Sequence, residues 1–151
     1  MFIDSERGES MVSAESIMGG KFDAYLQWFA RESRLFGKPF LIRFAHEMNL
    51  ERYHWGTSRE DFGASSAPKY RAMFRHIVSV FRAEKVDNVR WVFCPNVDSV
   101  PAGPSNRISS YYPGDDVVDI VGLDGYNWGT TQTNVQVMGV GMTGSPSCVV
   151  L

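Results

Sequence analysis

Short, nearly unbroken apolar runs alternate along this chain with stretches whose apolar residues fall at helical spacing, and this alternation restricts the fold more than any other feature. Between Gly20 and Gly37, the residues Phe22, Leu26, Phe29 and Phe36, with Tyr25 beside them, form the stripe of an amphipathic helix closed by glycine. Residues 39–45 (PFLIRFA) follow at once, and so continuous an apolar run suits a strand covered on both faces, as in a parallel sheet. A second helix is predicted from near Ser66 to around Lys85, with Pro68 in its first turn and Tyr70, Phe74, Ile77, Val78 and Phe81 on one face. Residues 89–94 (VRWVFC), stopped by Pro95, make the next strand, and 117–123 (VVDIVGL), preceded by the turn-forming Pro113-Gly114-Asp115, make another.

Strands joined through helices imply right-handed parallel crossovers, hence an α/β fold: an open doubly wound sheet or a (β/α) barrel. Periodicity does not separate the two, but the polar residues favour the barrel. His46-Glu47, Pro95-Asn96 and Asp124-Gly125-Tyr126-Asn127 each follow the carboxyl end of a predicted strand, where barrel active sites are built. A length of 151 residues suits one domain rather than two. After Gln132 the chain has no helical stripe, no charged residue and no clear strand partner, so 1–132 is read as the domain and 133–151 as a tail.

A formal charge of -2 with both signs interspersed offers no cationic field for nucleic acid or anionic membranes. No run approaches the roughly 20 apolar residues that span a bilayer, and the acidic start MFIDSERGES is unlike a signal peptide. Two cysteines, Cys94 and Cys148, make neither a disulfide framework nor a zinc site. No glycine-rich phosphate loop opens a helix, which disfavours a nucleotide. No cofactor or metal is expected.

Glu47 lies just past a predicted strand, where neighbouring aromatic residues would shield it from water and raise its pKa. A proton donor to a glycosidic oxygen needs that shift, because an ordinary glutamate is ionised at neutral pH. Successive strand residues point to opposite faces, so His46 and Glu47 can serve one substrate only if the strand bends or bulges there. Arg43, inside the strand, either holds a carboxylate of the site ionised or forms a buried structural ion pair. Trp55 is read as a sugar-stacking platform or a loop anchor, Trp91 as packing and His76 as structural, whereas Arg71, Arg75 and Arg82 are expected to form a solvated helix face.

The segments RFAHEMN, HWG, YRAMFRHIVSVFRAEKVDNVRWVFCPNVD and YYPGDDVVDIVGLDGYNWG, in that order over about residues 17–132, resemble glycoside hydrolase family 26. The resemblance implies part of a (β/α)8 TIM barrel, roughly its third to sixth strands, and a retaining mechanism. The activity it implies is mostly endo-β-1,4-mannanase, with some β-glucanases, and family members usually work outside the cell. It makes Glu47 the general acid/base closing the fourth strand and His46 the residue positioning the sugar. Tyr126 matches the tyrosine whose hydroxyl supports the nucleophile, and Asn49, Trp55 and Trp128 join it in substrate binding. Where the family carries Gly-Asn-Trp-Tyr-Pro-Trp this chain reads Leu50-Glu51-Arg52-Tyr53-His54-Trp55, so the aromatic platform matching Arg52 is lost.

A complete barrel takes about 250 residues. A retaining glycosidase also needs a second carboxylate about 5 to 5.5 Å from the first, which in the family sits on the seventh strand. The segment after Gln132 contains no aspartate or glutamate, and Asp124 is expected to support the site rather than replace that nucleophile. The expectation is therefore an incomplete hydrolase barrel for β-mannan or a related β-glycan, inactive by itself and prone to self-association through two uncovered sheet edges. The alternative is a non-catalytic carbohydrate-binding protein in which Trp55, Trp128 and Tyr126 hold the glycan and Glu47 only accepts a hydrogen bond.

Overall fold

The computed structural model describes residues 12–53, 55–56, 65–125 and 147–150. Along the chain run α1 (Ala14–Met18), α2 (Asp23–Phe36), β1 (Phe40–Ile42), α3 (Ser66–Ala83) and β2 (Val89–Phe93). A 3-10 turn (Pro104–Asn106), α4 (Ile108–Tyr111), β3 (Ile120–Gly125) and β4 (Ser147–Val150) follow. The strands form one sheet in the order β1-β2-β3-β4, with β1, β2 and β3 parallel and β4 antiparallel to β3. This is the α/β arrangement with parallel strands that the alternating pattern predicts.

The two long helices end where their sequences say they should. Gly37 closes α2 in the left-handed region at φ 65°, which glycine adopts without steric cost, and its N–H returns to the Arg34 carbonyl. Pro68 lies in the first turn of α3, where a missing N–H costs nothing. The stripe Tyr70, Phe74, Ile77, Val78 and Phe81 is buried together with Val89, Trp91 and Phe93 of β2. Trp91 meets Phe81 edge-on at 5.1 Å and Phe74 at 5.9 Å, so it packs the helix onto the sheet as its mid-strand position predicts. His76 also has the structural role expected of it: its Nε2 lies 2.7 Å from Asp23 Oδ1 and ties α3 to the start of α2.

Four expectations are corrected. The apolar run at 39–45 gives only three residues of strand, because the backbone turns at 44–49; and Leu41 is exposed, at 56%, rather than covered, as is its register partner Arg90 on β2. β3 begins at Ile120 rather than Val117, whose N–H closes the preceding turn on the Gly114 carbonyl at 3.1 Å. The arginines of α3 are not simply a solvated face. Arg71 donates to the Ser110 carbonyl, Arg75 to the Pro113 carbonyl and the Asp116 carboxylate, and Arg82 to the Asp116 carbonyl, so together they fasten the 110–116 segment to the helix. Finally, Ser147–Val150, read as lacking a partner, pairs with β3 in the register Gly122 to Val150 and Gly125 to Ser147. The flank of β3 is therefore occupied, and among the described residues the sheet ends at the outer edges of β1 and β4. No helix of the described residues is long and apolar enough to cross a membrane.

Candidate active site

The carboxyl ends of β1, β2 and β3 converge on one cluster. Past Ile42 the chain leaves the sheet in a turn over 44–49 in which Ala45 and Glu47 both take left-handed backbone, with φ of 44° and 53°. For residues with a Cβ each such conformation costs about 1–2 kcal/mol. Hydrogen bonds offset it: the Glu47 N–H donates to the Cys94 carbonyl at 2.9 Å, and the Glu47 carbonyl accepts from the Leu50 N–H at 3.0 Å. This is the bend that the adjacent pair His46-Glu47 requires. It brings one polar atom each of His46, Glu47 and Asp124 within 4.8 Å of one another.

Glu47 is 3% exposed and both of its oxygens are engaged. Asn96, just past β2, donates through Nδ2 to Oε1 at 2.7 Å, while Arg52 Nη2 donates to Oε2 and the Tyr53 hydroxyl bonds to the same carboxylate. The expected rise in its pKa is therefore overturned. Burial does push the carboxyl upward and is the largest single influence, but the bonds from Asn96, Arg52 and Tyr53 and the charge of Arg52 together outweigh it. Glu47 is held below its ordinary value and is ionised at neutral pH.

His46 sits beside it with Nε2 3.2 Å from the Tyr53 hydroxyl and its ring 5.0 Å from the Tyr53 ring. Burial and the nearby Arg43 guanidinium lower the imidazole pKa, against the opposing pull of Asp124 and Glu47. On the far side, Arg43 Nη1 lies 2.8 Å from both oxygens of Asp124 and 3.7 Å from Cys94 Sγ. The Arg43 side chain is partly exposed, which gives the ion pair a face to solvent. Asp124 is held in place by the backbone as well, through Asp124 N–H to the Pro95 carbonyl at 2.8 Å and Val97 N–H to the Asp124 carbonyl at 2.9 Å. His46, Glu47 and Asp124 are the donor types that bind cations, yet Arg43 and Arg52 already supply the positive charge such an ion would bring. The cluster is a hydrogen-bonded carboxylate site.

Two residues expected to bind substrate have other work here. Asn49 is fully buried, its Nδ2 donating to the Asn96 and Asp98 carbonyls and Ser99 Oγ and its Oδ1 accepting from the Asn96 N–H. It fixes the loop that carries Asn96 instead of reaching a ligand. Trp55 gives its indole N–H to the His46 carbonyl at 2.9 Å and stacks on Tyr53 at 4.6 Å, so it anchors the turn and has no N–H left for a sugar hydroxyl. Gly56 closes this loop by donating to the Tyr53 carbonyl, and a Cβ there would lie 1.9 Å from the Leu50 carbonyl oxygen. Asn96, Arg52 and Tyr53 are the site residues to which the sequence reading gave no role. Asn96 was legible as a polar residue past a strand end and Arg52 as a departure from the family's aromatic platform, whereas Tyr53 carried no signal of its own. Tyr126 and Trp128 lie outside the described residues.

Residues 10–141 match the model of glycosyl hydrolase family 26. Among individual relatives, endoglucanase H of Acetivibrio thermocellus is 43% identical over 117 residues, 78% of this chain and 13% of that protein. Mannan endo-1,4-beta-mannosidase A and B of Caldalkalibacillus mannanilyticus is 37% identical over 93 residues, 60% of this chain and 17% of that protein. A solved Bacillus subtilis mannanase aligns with a TM-score of 0.60 at 29% identity, over 75% of this chain and 36% of its own. The chain thus spans well under half the length of each of these relatives.

Proposed function

Because the chain belongs to glycosyl hydrolase family 26, we propose that it carries the acid/base half of a β-mannan-cleaving site, with β1, β2 and β3 as consecutive strands of a (β/α)8 barrel. The observation that carries this reading is the convergence of Glu47, Asn96 and Asp124 from the carboxyl ends of three adjacent parallel strands. Glu47 is the group that gives a proton to the leaving glycosidic oxygen and later takes one from water. His46 positions the sugar, Arg43 and Asp124 support the site, and Tyr126 and Trp128 contact the glycan.

The partner carboxylate of a retaining mechanism lies, on this reading, in barrel sequence beyond the matched region. The Arg43 ion pair makes Asp124 a poor nucleophile, since its charge is already answered. This chain by itself is expected to release no reducing ends from β-1,4-mannan or β-1,4-glucan. Turnover that disappears on Glu47→Gln would overturn that expectation.

One observation favours the second reading, a glycan binder without catalysis: Glu47 is ionised and engaged at both oxygens, as suits an acceptor of hydrogen bonds. Calorimetric titration with mannohexaose separates the two, in a longer protein that includes the following barrel strands. Binding accompanied by cleavage supports the enzyme, whereas binding without cleavage supports the binder. If neither occurs, both readings fail.

A further inference from the structure

Arg52 closes over the residue assigned the chemistry. Its Nη2 bonds Glu47 Oε2, and its guanidinium carbon sits 4.9 Å from the centroid of the adjacent Tyr53 ring, a cation–π arrangement that fixes the side chain in place. The Tyr53 hydroxyl in turn bonds Glu47 and lies 3.2 Å from His46 Nε2. Asn96 holds the other oxygen of Glu47, so neither oxygen is open to a substrate. Asn96 belongs to the buried framework fixed by Asn49, whereas the Arg52 side chain is 46% exposed and reaches Glu47 from the solvent side.

We propose that Arg52 is a positioning residue, a latch closed over the Glu47 carboxylate, and that an incoming β-1,4-linked glycan must displace it before Glu47 can act. The inference rests on the glycan-site reading given above. Its chemical basis is that a carboxyl ion-paired with a guanidinium holds no proton for a glycosidic oxygen, so acid catalysis and the closed latch exclude each other.

Every charged or titratable group facing Glu47 enters the test. Arg52 and Tyr53 come from its own loop, His46 and Arg43 from the end of β1, and Asp124 from β3, while Asn96 is the neutral donor from β2. Displacing Arg52 removes the nearest positive charge, so the bound form of Glu47 holds a proton more readily than the free form. Binding should then take up a proton, and affinity should rise as pH falls, by at most about tenfold per pH unit for one proton.

The first measurement is the carbon-13 titration of the glutamate side chains in the full chain, with Glu47 assigned by its loss in Glu47→Gln. Arg52→Gln is expected to move the Glu47 midpoint upward, and Arg52→Lys, which keeps the charge, to leave it much nearer the parent value. An unmoved midpoint in Arg52→Gln overturns the latch. The second measurement is mannohexaose affinity by calorimetry at about pH 7 and about pH 5. The parent chain should bind more tightly at the lower pH, and Arg52→Gln should bind more tightly than the parent at neutral pH with most of the pH dependence gone. Equal affinities and equal pH profiles overturn displacement. Absence of binding in both proteins overturns displacement together with the glycan reading, while the titration still decides whether Arg52 governs Glu47.

Discussion

Glu47 combines burial, which disfavours its charge, with three polar neighbours that restore it. Because its folded-state pKa lies below the ordinary value of 4.5, it contributes stability fully above that pH and loses the contribution as pH falls through the lower folded value. The stability difference between the parent chain and Glu47→Gln, read from urea midpoints, is therefore expected to shrink as the pH is lowered below about 4.5. A difference that stays constant down to acid pH would mean that charge contributes nothing. At this scale the sequence pointed to Glu47 and misjudged its state. The dipeptide His46-Glu47 at a strand end was readable, but the sign of the pKa shift depends on Arg52, which as sequence looked only like an absent aromatic. Asn49 shows the same limit: an asparagine in a functional motif reads as a ligand, and only its complete burial reveals that it holds a loop.

Among the elements, α3 carries the packing. Phe74 is buried between Phe44, Tyr70 and Trp91, so it joins the helix both to β2 and to the turn that bears the site. Truncation of a buried phenylalanine costs about 3–5 kcal/mol, a large part of the roughly 5–15 kcal/mol that holds a domain together. Phe74→Ala is expected to lower the thermal midpoint sharply and erase much of the near-ultraviolet circular dichroism; a near-native melt would show that α3 is not the keystone. The helices were legible because their signals are local: glycine at the left-handed cap, proline in the first turn and a stripe at constant spacing. The strand ends were not. Nothing in PFLIRFA announces that Ala45 and Glu47 will adopt left-handed backbone, since neither is glycine and the conformation is imposed by bonds to Cys94 and Leu50. β4 was missed for a related reason, because four residues without alternation become a strand only through the neighbour they pair with.

At the scale of the whole molecule, the parallel trio of strands and the match to family 26 account for the same stretch of chain, and the candidate cluster lies at the carboxyl ends of those strands. β4 adds something that the alternating pattern did not contain. By running against β3 it covers that flank and becomes the outer strand there, so that among the described residues the sheet ends at β1 on one side and at β4 on the other. In the language of polymer growth, a unit with two reactive ends is bifunctional and can build a ribbon, and the two ends here differ: β1 belongs to the parallel trio, whereas β4 runs against its neighbour. Sedimentation over a range of concentrations is accordingly expected to show species that grow beyond the pair as concentration rises, and an exchange that stops at pairs would mean that one of the two edges does not join.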